Sequence, residues 1–174
     1  MKTMTTITMA VSLLTLTVPL LADSDDSKGP GVAPVNNQLY LDECSACHFA
    51  YQPGLMPARS WKQLMANLED HFGENAELEA EEQKALTAYL LKNAADFSKL
   101  KRSIKIMRSL SRNQTPIRIT KIPYIVGKHD ELSSQMLKDN SLSYCDKCHT
   151  SASSGSYSER YINIPGYGSW EDDD

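Results

Sequence analysis

The sequence predicts a mainly α-helical chain built as two small modules, with short extended segments in its C-terminal half. Three observations lead there. Apolar residues recur at helical spacing around Trp61 to Phe72, Leu78 to Leu90 and Leu100 to Met107. A Cys-x-x-Cys-His pentapeptide occurs twice, near opposite ends of the chain. Residues 117–126 begin with alternating apolar residues and are interrupted by Pro123, the pattern of an extended or edge segment. A chain of 174 residues has room for one sizeable domain or two small ones. Its net charge of −4 carries no basic excess of the kind that marks nucleic-acid binding.

The elements follow in order. Residues 1–22 read as a signal peptide: Lys2 is the only charge before Asp23, and an apolar run interspersed with Thr and Ser ends at Leu21 and Ala22. An uncleaved anchor is the alternative, and Leu20 is bulky for a cleavage site. Residues 23–38, with Gly29, Pro30, Gly31 and Pro34, read as a flexible lead-in. A first module is expected over 39–112 and a second over 113–168, followed by an acidic tail at 169–174. In the first module Ser60 is expected to cap a helix whose stripe is Trp61, Leu64, Met65, Leu68 and Phe72, with Gly73 ending it. Asn75 is expected to cap the next helix, carrying Leu78, Ala85, Leu86, Tyr89 and Leu90, and a third is centred on Ile104.

The repeated pentapeptides carry the chemistry. They read Cys44-Ser45-Ala46-Cys47-His48 and Cys145-Asp146-Lys147-Cys148-His149. Two thiols three residues apart on one helical turn reach the two vinyl groups of one porphyrin, and the adjoining His faces the iron, so each motif is a covalent haem c attachment site. His48 and His149 are the proximal ligands. A zinc ribbon would bring its Cys pairs much closer in sequence than Cys47 and Cys145, which 97 residues separate. A thioredoxin-like pair would need an alternation of strands and helices that is not evident, and two disulfides are the remaining reading of four exported cysteines.

Two irons need two distal ligands, and the chain has four His in all, which leaves His71 and His129. Met56, Met65, Met107 and Met136 are rivals, since Met/His ligation is common in electron carriers. Met65, however, falls on the apolar stripe with Trp61, Leu64 and Leu68. His71 is expected in the last turn of the Ser60 helix, and His129 in a turn after Gly127.

Charge is segregated along the chain. Residues 97–129 contain nine Lys and Arg and no acid, whereas 69–82 hold seven acids and no Lys or Arg. Two solvated faces that pair with each other are one account. A basic surface that docks an acidic redox partner, or balances haem propionates, is the other.

Several longer stretches resemble a known family. Pro53-Gly54-Leu55-Met56-Pro57, then Asp70-His71-Phe72-Gly73-Glu74-Asn75-Ala76, Arg118-Ile119-Thr120-Lys121-Ile122-Pro123-Tyr124 before His129, and Gly155-Ser156-Tyr157-Ser158-Glu159-Arg160 with Ile162-Asn163-Ile164-Pro165 are similar to the small bis-histidine dihaem cytochromes c, DHC. Met56 stands where that family is expected to have Leu. The resemblance spans most of the chain from about Tyr40 to Pro165. It implies a cytochrome c-like, two-part helical fold with two haem c groups, His71 and His129 as distal ligands, and periplasmic electron transfer. It also implies redox partners such as a small oxygen-binding monohaem cytochrome or a membrane b-type cytochrome. Two axial His leave no open iron position, so a soluble, low-potential carrier rather than an enzyme is expected. The alternative is a dihaem enzyme of peroxidase or gas-binding type with one labile distal ligand. A haem-bearing sensor would need an output module, and none is visible.

Overall fold

The computed structural model describes residues 29–170. The signal peptide, the start of the lead-in and the end of the acidic tail lie outside them. Seven α-helices and one small hairpin are joined by 3₁₀ turns among the described residues. The helices are α1 (Gln38–Cys44), α2 (Ala58–Met65), α3 (Ala80–Lys92), α4 (Lys101–Ser109), α5 (Pro123–Gly127), α6 (Ser134–Asp139) and α7 (Cys145–Cys148). Strands β1 (Asn163–Ile164) and β2 (Gly168–Ser169) pair antiparallel. Among the described residues no helix is long and apolar enough to cross a membrane.

The core collects the predicted stripes. Trp61 and Met65 of α2, Leu86 and Leu90 of α3, and Ile106 of α4 pack with Tyr40, Leu55, Met56, Leu68, Ile119 and Ile122. Two buried polar groups there are paired: Trp61 Nε1 donates to the Pro53 carbonyl at 2.8 Å, and Ser103 Oγ donates to the Gly54 carbonyl at 2.8 Å. The second bond holds α4 against the turn that carries Met56.

Four local expectations change. Helix α2 ends at Met65, and Leu68–Asp70 form a separate 3₁₀ turn, because Ala66 closes the helix and Asn67 leaves the helical region. Ser60 lies inside α2 with its hydroxyl buried, while Pro57 occupies the N-cap. Asn75 caps a local turn by accepting from Glu77 N at 2.8 Å, and α3 begins five residues later with Glu79 at its cap. Residues 117–126 are not extended: a 3₁₀ turn at Ile119–Lys121 leads into α5, where Pro123 takes the first helical position and its missing N–H costs nothing.

The described part of the lead-in is packed. Val32 is fully buried, Gly31 N and Val32 N donate to the Gly155 carbonyl at 2.8 and 3.2 Å, and Arg102 N donates to the Gly31 carbonyl at 3.1 Å. Gly155 has φ +77°, and a Cβ there would lie 2.1 Å from the Val32 carbonyl oxygen, so only glycine fits. Further bonds link the early and late parts of the chain: Arg59 Nε to the Gln114 carbonyl at 2.7 Å, Arg102 Nη1 to Tyr124 Oη at 3.1 Å, and Tyr51 Oη to the Ser143 carbonyl at 2.7 Å.

Candidate functional site

The first pentapeptide is carried by α1. Asn37 caps that helix by accepting from Tyr40 N at 2.9 Å, and the buried Tyr40 anchors its inner face, which leaves Cys44 at the last helical position. Cys47 and His48 follow in the turn. His48 Nδ1 lies 2.7 Å from the Phe49 carbonyl, a contact that leaves Nε2 for another partner. His71 arrives from the 3₁₀ turn after α2. Its backbone bridges to Glu74, and the reversal passes through Phe72 at φ +62° and Gly73 at φ +98°. The Arg118 guanidinium lies over the Phe72 ring at 3.8 Å, tying this turn to the basic stretch. The imidazoles of His48 and His71, 23 positions apart in sequence, come to a ring-centre separation of 6.2 Å.

The second pentapeptide forms α7 itself, a single turn with a cysteine at each end. His129 follows α5, and its Nδ1 lies 2.7 Å from the Ile125 carbonyl. Its ring centre is 6.0 Å from that of His149. At the second site Cys145, Cys148, His129 and His149 border a cavity of about 360 Å³, lined also by Ile119, Ile125, Leu132, Met136 and Ile164, whereas at the first only Cys47 and His48 border one, of about 590 Å³. Tyr144 and Asp146, which flank Cys145, line the cavity of the first site, and Tyr144 Oη lies 3.4 Å from the Cys47 carbonyl. The two attachment motifs therefore adjoin each other.

The electrostatics suit neutral imidazoles. Burial, then the neighbouring His129 and Arg102, holds His149 down to about 4. Burial, His48 and Arg118 lower His71 in the same direction. Both Nδ1 atoms, of His71 and of His149, are buried without a hydrogen-bond partner. Burial pushes the Cys44 thiol up to about 11 and the Cys145 thiol up to about 12, away from the reactive thiolate, and none of the four cysteines is in a disulfide. Among the described residues no three His, Cys, Asp or Glu side chains gather as a metal cluster.

A metal-bound imidazole nitrogen lies about 2 Å from its metal and the ring centre roughly 1 Å beyond, so two rings on opposite faces of one iron have centres about 6 Å apart. Both pairs fit that span, and the largely apolar cavity lined by both His129 and His149 lies where a porphyrin would sit. The rival methionines are placed differently: Met56 and Met65 are buried in the hydrophobic core. Met136, by contrast, lines the second cavity. Sequence spacing did not single out Tyr51, Gln52 or Tyr157. Tyr51 stacks on His48 at 4.9 Å, Tyr157 meets His149 at 5.2 Å, and Gln52 joins them by accepting from Tyr157 Oη at 2.6 Å. Tyr157 is separated from Tyr51 and Gln52 by about a hundred residues, and no local pattern announces such a contact.

The likeness to known proteins agrees with this geometry. Residues 40–157 match the dihaem cytochrome c family, DHC. A dihaem cytochrome c from Rhodobacter sphaeroides is similar in structure with a TM-score of 0.66 and 44% identity, covering 72% of this chain and all of that one. A dihaem cytochrome c from Shewanella baltica OS155 is similar with a TM-score of 0.64 and 35% identity, covering 78% of this chain and 98% of that one. No curated protein matches the chain. With two attachment motifs, two facing imidazole pairs and a family match across most of its length, the chain belongs to the dihaem cytochrome c family and carries two haem c groups.

Proposed function

We propose that this protein is a periplasmic, low-potential electron carrier in which Cys44 and Cys47 hold one haem between His48 and His71, and Cys145 and Cys148 hold the other between His149 and His129. The observation that carries the reading is the pair of ring separations, 6.2 and 6.0 Å, each joining the His of an attachment motif to one remaining His. When bound, the haem groups supply reversible one-electron chemistry. The chain's own residues do the rest. The four cysteines would hold the two porphyrins covalently, and the four imidazoles would ligate the irons, which would leave no place for oxygen or peroxide. Imidazole in place of a thioether ligand lacks the potential-raising effect of Met. The contact of Tyr144 with Cys47 keeps the two sites adjoining, as a two-centre relay requires. The signal-peptide pattern of residues 1–22 supports export.

The acid-free stretch over 97–129 supports an acidic redox partner, such as a small monohaem or a membrane b-type cytochrome. Arg118 brings that stretch onto Phe72, beside His71, so a partner docked there approaches the first site. Reversing the exposed Arg112 and Lys121 to Glu is expected to slow transfer to an acidic cytochrome about tenfold at low salt, with haem spectra unchanged. Equal rates at low salt would leave the patch a solvated face.

Ligation is tested on the ferric and ferrous holoprotein. Wild type is expected to be wholly low-spin and to leave carbon monoxide unbound when reduced. His71→Ala and His129→Ala are each expected to keep both haems while turning one to a high-spin, carbon monoxide-binding form. Carbon monoxide binding by the wild type would replace the carrier by a gas-binding or peroxidase-type enzyme.

A further inference from the structure

The two imidazole pairs share a separation but not an orientation. The rings of His48 and His71 are 21° from parallel, whereas those of His129 and His149 cross at 81°. Each proximal ring has an aromatic neighbour. Tyr51 stacks on His48 with an interplanar angle of 24°, and Tyr157 meets His149 at 64°. These tyrosines are themselves held. Tyr51 Oη donates to the Ser143 carbonyl at 2.7 Å, and Tyr157 Oη donates to Gln52, which is 1% exposed. Gln52 Nε2 donates in turn to the Ala152 carbonyl at 2.5 Å, and Arg102 Nη2 donates to the Tyr157 carbonyl at 3.1 Å.

We propose that Tyr51 and Tyr157 are positioning residues that set the planes of the two proximal imidazoles, near-parallel to the distal ring at the first haem and crossed at the second, and so make the two haems electronically inequivalent. The inference rests on bis-histidine ligation and deepens it. The π orbital of an imidazole stands perpendicular to its ring and overlaps one of the two d orbitals of π symmetry on iron. Parallel rings act on the same d orbital and split the pair, whereas crossed rings act on one each and leave the pair nearly degenerate. A degenerate ferric centre keeps more orbital angular momentum, which raises its leading g value. Splitting stabilises the ferric state, which has one vacancy in these orbitals, over the ferrous state, which has none. Orientation by neighbouring groups thus reaches the redox balance of the iron through its ligands. By this lever the second site is the easier one to reduce.

The test is electron paramagnetic resonance of the full-length holoprotein. The ferric wild type is expected to give two low-spin signals, one rhombic and one strongly anisotropic with a larger leading g value. On potentiometric titration with dithionite each ferric site takes up one electron and becomes silent, the anisotropic signal first. Tyr51→Leu is expected to shift only the rhombic signal and Tyr157→Leu only the anisotropic one. Tyr51→Phe and Tyr157→Phe, which keep the ring and drop the hydroxyl that holds it, are each expected to shift the corresponding signal less than the Leu variant does. Two wild-type signals of the same type, reversed order of reduction, or Leu variants that retain both haems with unmoved g values overturn the inference. Tyr51, half-buried, carries the variant test if Tyr157→Leu loses its haem. High-spin or methionine-type signals in the wild type would instead overturn the ligand assignment itself.

Discussion

The two haem sites answer the same pentapeptide with different supports. The first hangs from a capped seven-residue helix whose Tyr40 is buried in a protein core shared with Trp61, Leu86 and Leu90. The second rests on the four residues of α7, and neither α5, α6 nor α7 buries a residue. Of the largest fully buried side chains, only Ile122 comes from the chain beyond residue 112. The apolar side chains of the second half turn instead toward the 360 Å³ cavity between His129 and His149. Interiors are close-packed, and these Ile, Leu and Met side chains pack around the space beside the attachment motif, where the haem it holds would complete the packing. The first site is a haem set beside a core; at the second, the haem is the core.

The largest expected effect breaks the two apart. Cys145→Ser with Cys148→Ser, which removes covalent attachment at the second site, is expected to accelerate amide exchange in α5 to α7 by at least about tenfold while α3 and α4 keep their protection. Cys44→Ser with Cys47→Ser is expected to leave α3 and α4 protected as well, since Leu86, Leu90 and Ile106 pack without help from a haem. Hydrogen exchange read by mass spectrometry compares the two directly. Equal loss of protection across the chain in both variants would show one cooperative unit and end the distinction.

The joint between the halves comes next. Gly155→Ala places a Cβ against the Val32 carbonyl in a backbone conformation that L residues rarely adopt, at an expected cost of about 2–4 kcal/mol. Leu90→Ala, in the protein core, is expected to cost about 2–5 kcal/mol. The two differ in kind. Denaturation followed by haem absorbance is expected to show Gly155→Ala acting first on the second site, where Gly155 follows the 3₁₀ turn after His149. Leu90→Ala acts on both sites together. A Gly155→Ala protein as stable as wild type would mean that the 31–32 strut yields at little cost.

How much of this the sequence foretold follows the range of each interaction. The attachment motifs are contiguous and α3 and α4 repeat at helical period, so both were legible. The facing of His71 and His129 with the attachment motifs was bounded by counting four His, while which ring meets which needed the fold. The apolar stripe of the Ser60 helix continues through Leu68 and so predicts a longer helix, yet Leu68 is buried from a 3₁₀ turn and Phe72 leaves the stripe with a positive φ. Pro123 in an alternating run predicts an interrupted extended segment, although the same fixed φ starts a helix when the residues after it can form one. The link Tyr51–Gln52–Tyr157 joins parts of the chain about a hundred residues apart, and no periodicity reports on contacts of that range.

The smallest effect sharpens the comparison most, because it asks the same question of two matched caps. Asn37 accepts from Tyr40 N at 2.9 Å at the start of α1, and Ser133 accepts from Met136 N at 3.2 Å at the start of α6. Losing such a cap costs about 0.5–2 kcal/mol when the helix is coupled to the rest of the fold. Helix α1 is so coupled, through Tyr40, and it ends on Cys44; α6 buries no residue, although Met136 and Leu137 reach the second cavity. Asn37→Ala is therefore expected to lower the stability of the holoprotein by about 1 kcal/mol. Ser133→Ala is expected to lower it by less than about 0.5 kcal/mol while the haem of the second site stays bound, since α6 can fray at its exposed start without disturbing a core. Chemical denaturation of the two holoproteins decides the point. If Ser133→Ala proves the costlier change, α6 is held as firmly as α1, and the second site rests on its helices more than on its haem.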